Sequence, residues 1–149
     1  MNIHITTIED KEFSKILGEK LRSFNNTSSP YHKESRQEGY IKYFNVRIRD
    51  NGFIAGMSCQ IYWNSMFIDD LFIKEEKRKA GLGKILIDKA VEHSKSLNLS
   101  YIWLRTFSFQ AKGFYQKQGF KVVGELKDYP PGESFYTMRL DLEKGNTND

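Results

Sequence analysis

Asp69-Asp70-Leu71-Phe72-Ile73-Lys74-Glu75-Glu76-Lys77-Arg78-Lys79-Ala80-Gly81-Leu82-Gly83-Lys84-Ile85-Leu86-Ile87 is the stretch on which the fold turns. Phe67 to Ile73 reads as a strand, and a basic turn containing two glycines follows it. Ile85, Leu86, Ala90, Val91 and Leu97 then recur at a three-to-four residue spacing over good helix formers, with Asn98 near the end, which predicts a helix. A turn placed between that strand and that helix aims the free amides of the helix's first turn at one point, and Arg78, Lys79 and Lys84 set positive charge around it. The stretch is therefore an anion site.

Spacing decides which anion. A Walker loop needs Gly-Lys followed by Ser or Thr, and Ile85 follows Lys84. A dinucleotide fingerprint needs a third glycine three residues after Gly83, where Leu86 stands. The pattern that fits is Arg-x-x-Gly-x-Gly, filled by Arg78, Gly81 and Gly83. It resembles the pyrophosphate signature of the GCN5-related N-acetyltransferase (GNAT) superfamily, which binds acetyl coenzyme A. Alone, the turn is equally read as a plain tight connection between strand and helix. A second motif, Ala111-Lys112-Gly113-Phe114-Tyr115-Gln116-Lys117-Gln118-Gly119-Phe120, is similar to the family's Ala-x-x-Phe-Tyr-x-x-x-Gly-Phe element. Two motifs in that order and at that separation weigh against coincidence.

Composition sets the outer bounds. At 149 residues the chain is expected to form one domain over residues 1–143, followed by a polar tail over 144–149. Apolar and charged fractions of 39% and 28% are those of a soluble globular protein. No apolar run approaches a spanning helix, and Met1-Asn2-Ile3-His4 lacks the regions of a signal peptide, so no membrane partner and a cytoplasmic location are expected. The single cysteine, Cys59, lies in an alternating apolar stretch and reads as a core residue rather than a nucleophile. His4, His32 and His93 are scattered without metal-ligand spacing, so no metal is expected. The net charge of +4 is spread along the chain and interleaved with acids, which argues against a nucleic-acid groove and suits one polyanionic ligand.

Outward from the central stretch, a short strand is expected over Asn2 to Thr6, with Thr7 as cap of a helix whose apolar positions are Phe13, Ile16, Leu17, Leu21 and Phe24. The polar loop from Asn25 to Pro30 ends it. A short helix is an option for the stretch from Tyr31 to Tyr43. Phe44 to Arg49 alternates as a strand, Asp50-Asn51-Gly52 is a hairpin signal, and Phe53 to Tyr62 returns. After a turn at Trp63-Asn64-Ser65 comes the strand Met66 to Ile73. Tyr101 to Phe107 is strand-like and, beyond a helix, runs parallel to it. A helix over about Gln110 to Gln118, strands Phe120 to Gly124 and Phe135 to Leu142, and a loop at Asp128-Tyr129-Pro130-Pro131-Gly132 complete the chain. The fold class is α+β (mixed α/β). The resemblance implies a mixed, mostly antiparallel sheet of about six to seven strands flanked by helices, with a splayed parallel pair.

What the resemblance implies about chemistry can be set on numbered residues. The main-chain amides of Leu71, Phe72 and Ile73 would hold the acetyl group and pantetheine arm between the splayed strands. Those of Lys79, Ala80, Gly81, Leu82, Gly83 and Lys84, with Arg78, would cradle the pyrophosphate. Arg78 and Lys84 also read as solvated surface charges. Tyr115 takes the family's general-acid position, its other reading being a core aromatic beside Phe114; a phenol of pKa near 10 can protonate a leaving thiolate. Asp69 and Asp70 are the candidates to receive the amine, because adjacent strand residues point to opposite faces and one of them must face the cleft; pairing with basic loops is the ordinary alternative. Many members carry Asn where Ser108 stands, so the arm's contact there falls to a hydroxyl. Thr106-Phe107-Ser108-Phe109-Gln110 with Tyr129-Pro130-Pro131-Gly132 looks like a small-molecule-acetylating branch. The implied activity is acetyl-CoA-dependent N-acetylation of a small amine, antibiotic- or polyamine-like, by direct transfer. A protein amine as acceptor and a non-catalytic acyl-CoA sensor are the alternatives. Pairing of many members through their C-terminal strands leaves a homodimer open.

Overall fold

The computed structural model describes residues 1–144, so 145–149 of the expected tail lie outside the described residues. The chain divides into two compact units, Met1–Tyr40 and the part from Ile41 onward.

The first unit holds helices α1 (Lys11–Ser28) and α2 (Pro30–Ser35). Asp10, not Thr7, caps α1: its carboxylate accepts the Phe13 N–H at 2.9 Å, satisfying one of the first-turn amides. Residues 2–6 form no strand. Ile3 and Ile5 are exposed there, and without a ladder nothing offsets an ordering cost of about 1–2 kcal/mol per residue. The helix continues through Asn25 and Asn26, and the break falls at Ser29, which has extended backbone and accepts the His32 N–H as cap of α2. Pro30 occupies the first helical position, where no N–H is needed.

In the second unit lie strands β1 (Lys42–Arg49), β2 (Phe53–Tyr62), β3 (Ser65–Ile73), β4 (Tyr101–Phe107), β5 (Lys121–Lys127) and β6 (Ser134–Asp141), with helices α3 (Leu82–Ser96) and α4 (Lys112–Lys117). They form one six-stranded sheet in the order β1-β2-β3-β4-β6-β5. Every neighbouring pair is antiparallel except β3 and β4, which α3 joins as a crossover. The β1–β2 turn is made by Asn51 and Gly52, both at positive φ, as the hairpin signal requires. Leu86, Ile87 and Ala90 of α3 are buried in one cluster with Cys59, Ile68 and Leu104 of the sheet. Burying each large apolar side chain contributes about 1.5–3 kcal/mol, which fixes α3 on that face and with it the turn that begins the helix. No described helix is long and apolar enough to cross a membrane.

Candidate active site

The parallel pair is short. β3 meets β4 only from Ser65↔Tyr101 to Ile68↔Leu104, although β3 runs on to Ile73 and β4 to Phe107. Beyond that point β3 stays paired with β2 and β4 with β6, so a gap opens between two held strands. Lys74 N–H donates to the Ile54 carbonyl at 2.9 Å, so Lys74 faces β2. Successive amides of a strand alternate sides, so Phe72 also faces β2 while Leu71 and Ile73 face the gap. Of the three expected amide donors, the Phe72 amide therefore belongs to the β2 ladder. On the opposite wall, Ser108 N–H donates to Ser134 O at 2.8 Å, which turns Phe107 toward the gap; there its N–H is taken by Gln110 Oε1 at 2.8 Å.

At the end of β3 a short 3₁₀ turn, Glu75–Lys77, leads to the two glycines. Gly81 is the N-cap of α3 with φ +79, and it offers no capping side chain, so the first-turn amides of a 15-residue helix are left to an outside acceptor. A methyl group on Gly81 would meet nothing within 4 Å, so the space beside its Cα is open. Gly83 differs. A methyl there would lie 2.7 Å from Phe114 Cζ and 3.3 Å from Ile73 Cδ1, so this glycine is required by packing against α4 and β3 rather than by ligand approach. The charges also divide. Arg78 Nε donates to Ile73 O at 3.1 Å, which folds its guanidinium back to the mouth of the gap and leaves its terminal N–H groups available. Lys79 is exposed at φ +67, and Lys84 is held by Asp88 at 2.6 Å.

Tyr115 is buried between Phe114 and Phe120, edge-to-face with both at centroid distances of 5.2 and 5.7 Å. Its hydroxyl bonds no other described residue, and burial pushes its pKa up to about 12. Cys59 is buried in the core, and burial, followed by the charge of Asp69, pushes its thiol up to about 12, so it is an inert core residue.

The alternation expected at Asp69 and Asp70 fails because β3 carries one extra residue there: Ser58 opposes Asp70, while Cys59 opposes Ile68. Asp69 accepts from Gln60 Nε2 at 2.9 Å. Gln60 and Ser58 lie two apart on β2 and share the face away from α3, so both carboxylates stand on that face, exposed. Ser108 is engaged otherwise than expected. Its hydroxyl donates to the Glu133 carboxylate and accepts the Ser134 N–H at 2.9 Å, binding the end of β4 to the β5–β6 loop. Gln60 and Glu133 carry no sequence signal, since each acts on a residue that only the folded chain brings near, whereas Gln110 acts three residues back on Phe107, a local turn contact.

A model of the acetyltransferase (GNAT) family matches residues 6–120. The chain is 28% identical over 131 residues to blasticidin-S acetyltransferase of Streptomyces morookaense, covering 83% of this chain and 96% of that one. It is 40% identical over 73 residues to the peptidyl-lysine N-acetyltransferase YjaB of Salmonella typhimurium, covering 49% and 48%. An acetyltransferase structure from Bacillus cereus superposes with a TM-score of 0.79 at 22% identity over 94% and 98% of the two chains. A Bacillus anthracis acetyltransferase solved in complex with acetyl coenzyme A superposes with a TM-score of 0.61 at 23% identity over 75% and 68%. The matched residues take in the parting strands, the glycine turn and α4 together, and the chain belongs to the acetyltransferase (GNAT) family, acyltransferases that use acetyl-CoA as cosubstrate.

Proposed function

We propose that this protein transfers the acetyl group of acetyl-CoA, by direct attack, to a primary amine of a small antibiotic- or polyamine-like molecule in the cytoplasm. The observation that carries the reading is the parting of β3 from β4 after Ile68 and Leu104, with an uncapped helix start at the same end. An arm of pantetheine size lies in such a gap on the Leu71 and Ile73 amides, and the pyrophosphate meets the amides from Lys79 to Lys84 with Arg78 beside them. A gap-facing N–H directed at the thioester oxygen supports its developing negative charge. The amine nitrogen attacks the thioester carbonyl carbon, the C–S bond breaks, and the sulfur takes its proton from the Tyr115 hydroxyl. The proton lost by the amine passes toward Asp69 or Asp70. Burial keeps Tyr115 protonated, and the same desolvation raises the basicity of a thiolate beside it, so the transfer stays matched.

A small acceptor is favoured by the relative that this chain matches almost end to end, blasticidin-S acetyltransferase. The peptidyl-lysine relative, matched over about half its length, supports the second reading, a protein amine. The test is acetyl-CoA consumption, followed as thiol release, over a panel of small amines and lysine peptides, alongside a thermal shift with acetyl-CoA. Ligand at 100 times its Kd should stabilise the fold by about 2.7 kcal/mol. Binding without consumption by any amine would mark a non-catalytic acyl-CoA sensor.

A further inference from the structure

On β4 the buried residues Ile102, Leu104 and Thr106 face α3 and the core, so Arg105 and Phe107 stand on the other face, the one that carries Asp69 and Asp70. Phe107 ends β4 at the mouth of the gap, three residues past the last pair with β3. Four rings gather there. Phe109 stacks on Phe107 at 5.2 Å and 8°, Phe135 meets Phe107 at 4.6 Å, and Tyr129 meets Phe107 and Phe135 at 6.2 and 5.7 Å. Phe109 and Tyr129 remain 61% and 52% exposed, so each presents apolar ring surface to whatever enters.

Tyr129 is also held in place. It lies on the β5–β6 loop, which Ser108 ties to the end of β4 through the Glu133 carboxylate and the Ser134 main chain, while Asp128 accepts the Gly132 N–H at 2.9 Å within the loop. A ring fixed before binding loses little freedom on contact. Arg105, a cation on this face, has its guanidinium over Phe67 and Trp103 at 5.5 and 5.8 Å, in the part of the sheet where β3 and β4 are still paired. It therefore leans away from the mouth, which keeps the carboxylates for a basic group. The glycine turn begins α3 on the opposite face, so these rings are not where the coenzyme's phosphates go.

We propose that the acceptor is a primary amine attached to a planar ring, which stacks on Phe109 and Tyr129 with its nitrogen toward Asp69 and Asp70, and that Ser108 is the residue positioning Tyr129. The proposal rests on the transferase reading above. Its test uses tryptamine, a planar ring with a primary amine, against 1,4-diaminobutane, which has no ring. Wild type should favour tryptamine in kcat/KM. In Phe109→Ala and in Tyr129→Ala the tryptamine-to-diaminobutane ratio should fall about 10-fold, chiefly through KM, as expected for one lost stacking partner. Both positions are exposed, so the apo melting temperature checks that the fold survives. Ser108→Ala should raise KM for tryptamine with kcat kept, and Ser108→Thr should restore it, a split that a merely structural defect would not give. A ratio unchanged in the variants, or no binding of tryptamine to the coenzyme A-loaded wild type, overturns the ring surface. In that event consumption of acetyl-CoA with any other amine leaves the transferase reading standing, whereas failure of wild type to bind acetyl-CoA removes that reading itself.

Discussion

A single hydroxyl separates the roles open to Tyr115. The ring packs against Phe114 and Phe120, but the oxygen bonds no other described residue, so the fold gains little from it. Tyr115→Phe should therefore leave stability within about 1 kcal/mol and keep acetyl-CoA binding. If the hydroxyl protonates the thiolate, turnover falls about 10²–10⁴-fold, measured as steady-state rate beside a melting curve. Turnover unchanged with a responsive amine removes the acid role. Sequence nominated Tyr115 through its motif, and Cys59 as core through its alternating neighbours. Alternation along a strand puts Asp69 and Asp70 on opposite faces, but one extra residue in β3 cancels it and brings both to one face.

Within the turn and helix, Gly81 and Gly83 look alike in sequence and act differently in the fold. Gly81 provides a left-handed backbone beside open space, and Gly83 provides room for Phe114, which ties α3 to α4. Gly83→Ala should thus damage the apo protein, lowering stability by about 1–3 kcal/mol and Tm by roughly 3–10 °C. Gly81→Ala should cost the apo fold only about 1–2 kcal/mol for the strained φ, and its larger effect should be a smaller acetyl-CoA-induced shift in Tm. Paired melts with and without acetyl-CoA distinguish the two; equal losses in both variants would show that the glycines share one role. The motif spacing made the turn legible, but the partner of Gly83 lies on another helix and leaves no local trace.

Across the whole molecule, burial raises two acids together, Tyr115 from 10.0 and Cys59 from 9.0, each to about 12. Both hold their protons more tightly folded than unfolded. Their contribution is complete below about pH 9 and is lost as pH rises toward 12, because the unfolded chain releases these protons first. Urea unfolding between pH 8 and pH 11 should show falling stability, with a shallower slope in Tyr115→Phe; an identical slope would show that the phenol is not buried in solution. Sequence by itself determined the strand-turn-helix, the antiparallel meander before it and the parallel relation of β3 to β4, since these follow from short-range periodicity and from what one helix can connect. Tertiary structure alone decided where β3 and β4 part, which amides face the gap, that both aspartates share one face, and that Ser108 meets Glu133 instead of a free arm. These depend on ladder register and on contacts between residues distant in the chain, and no local pattern of side chains encodes either.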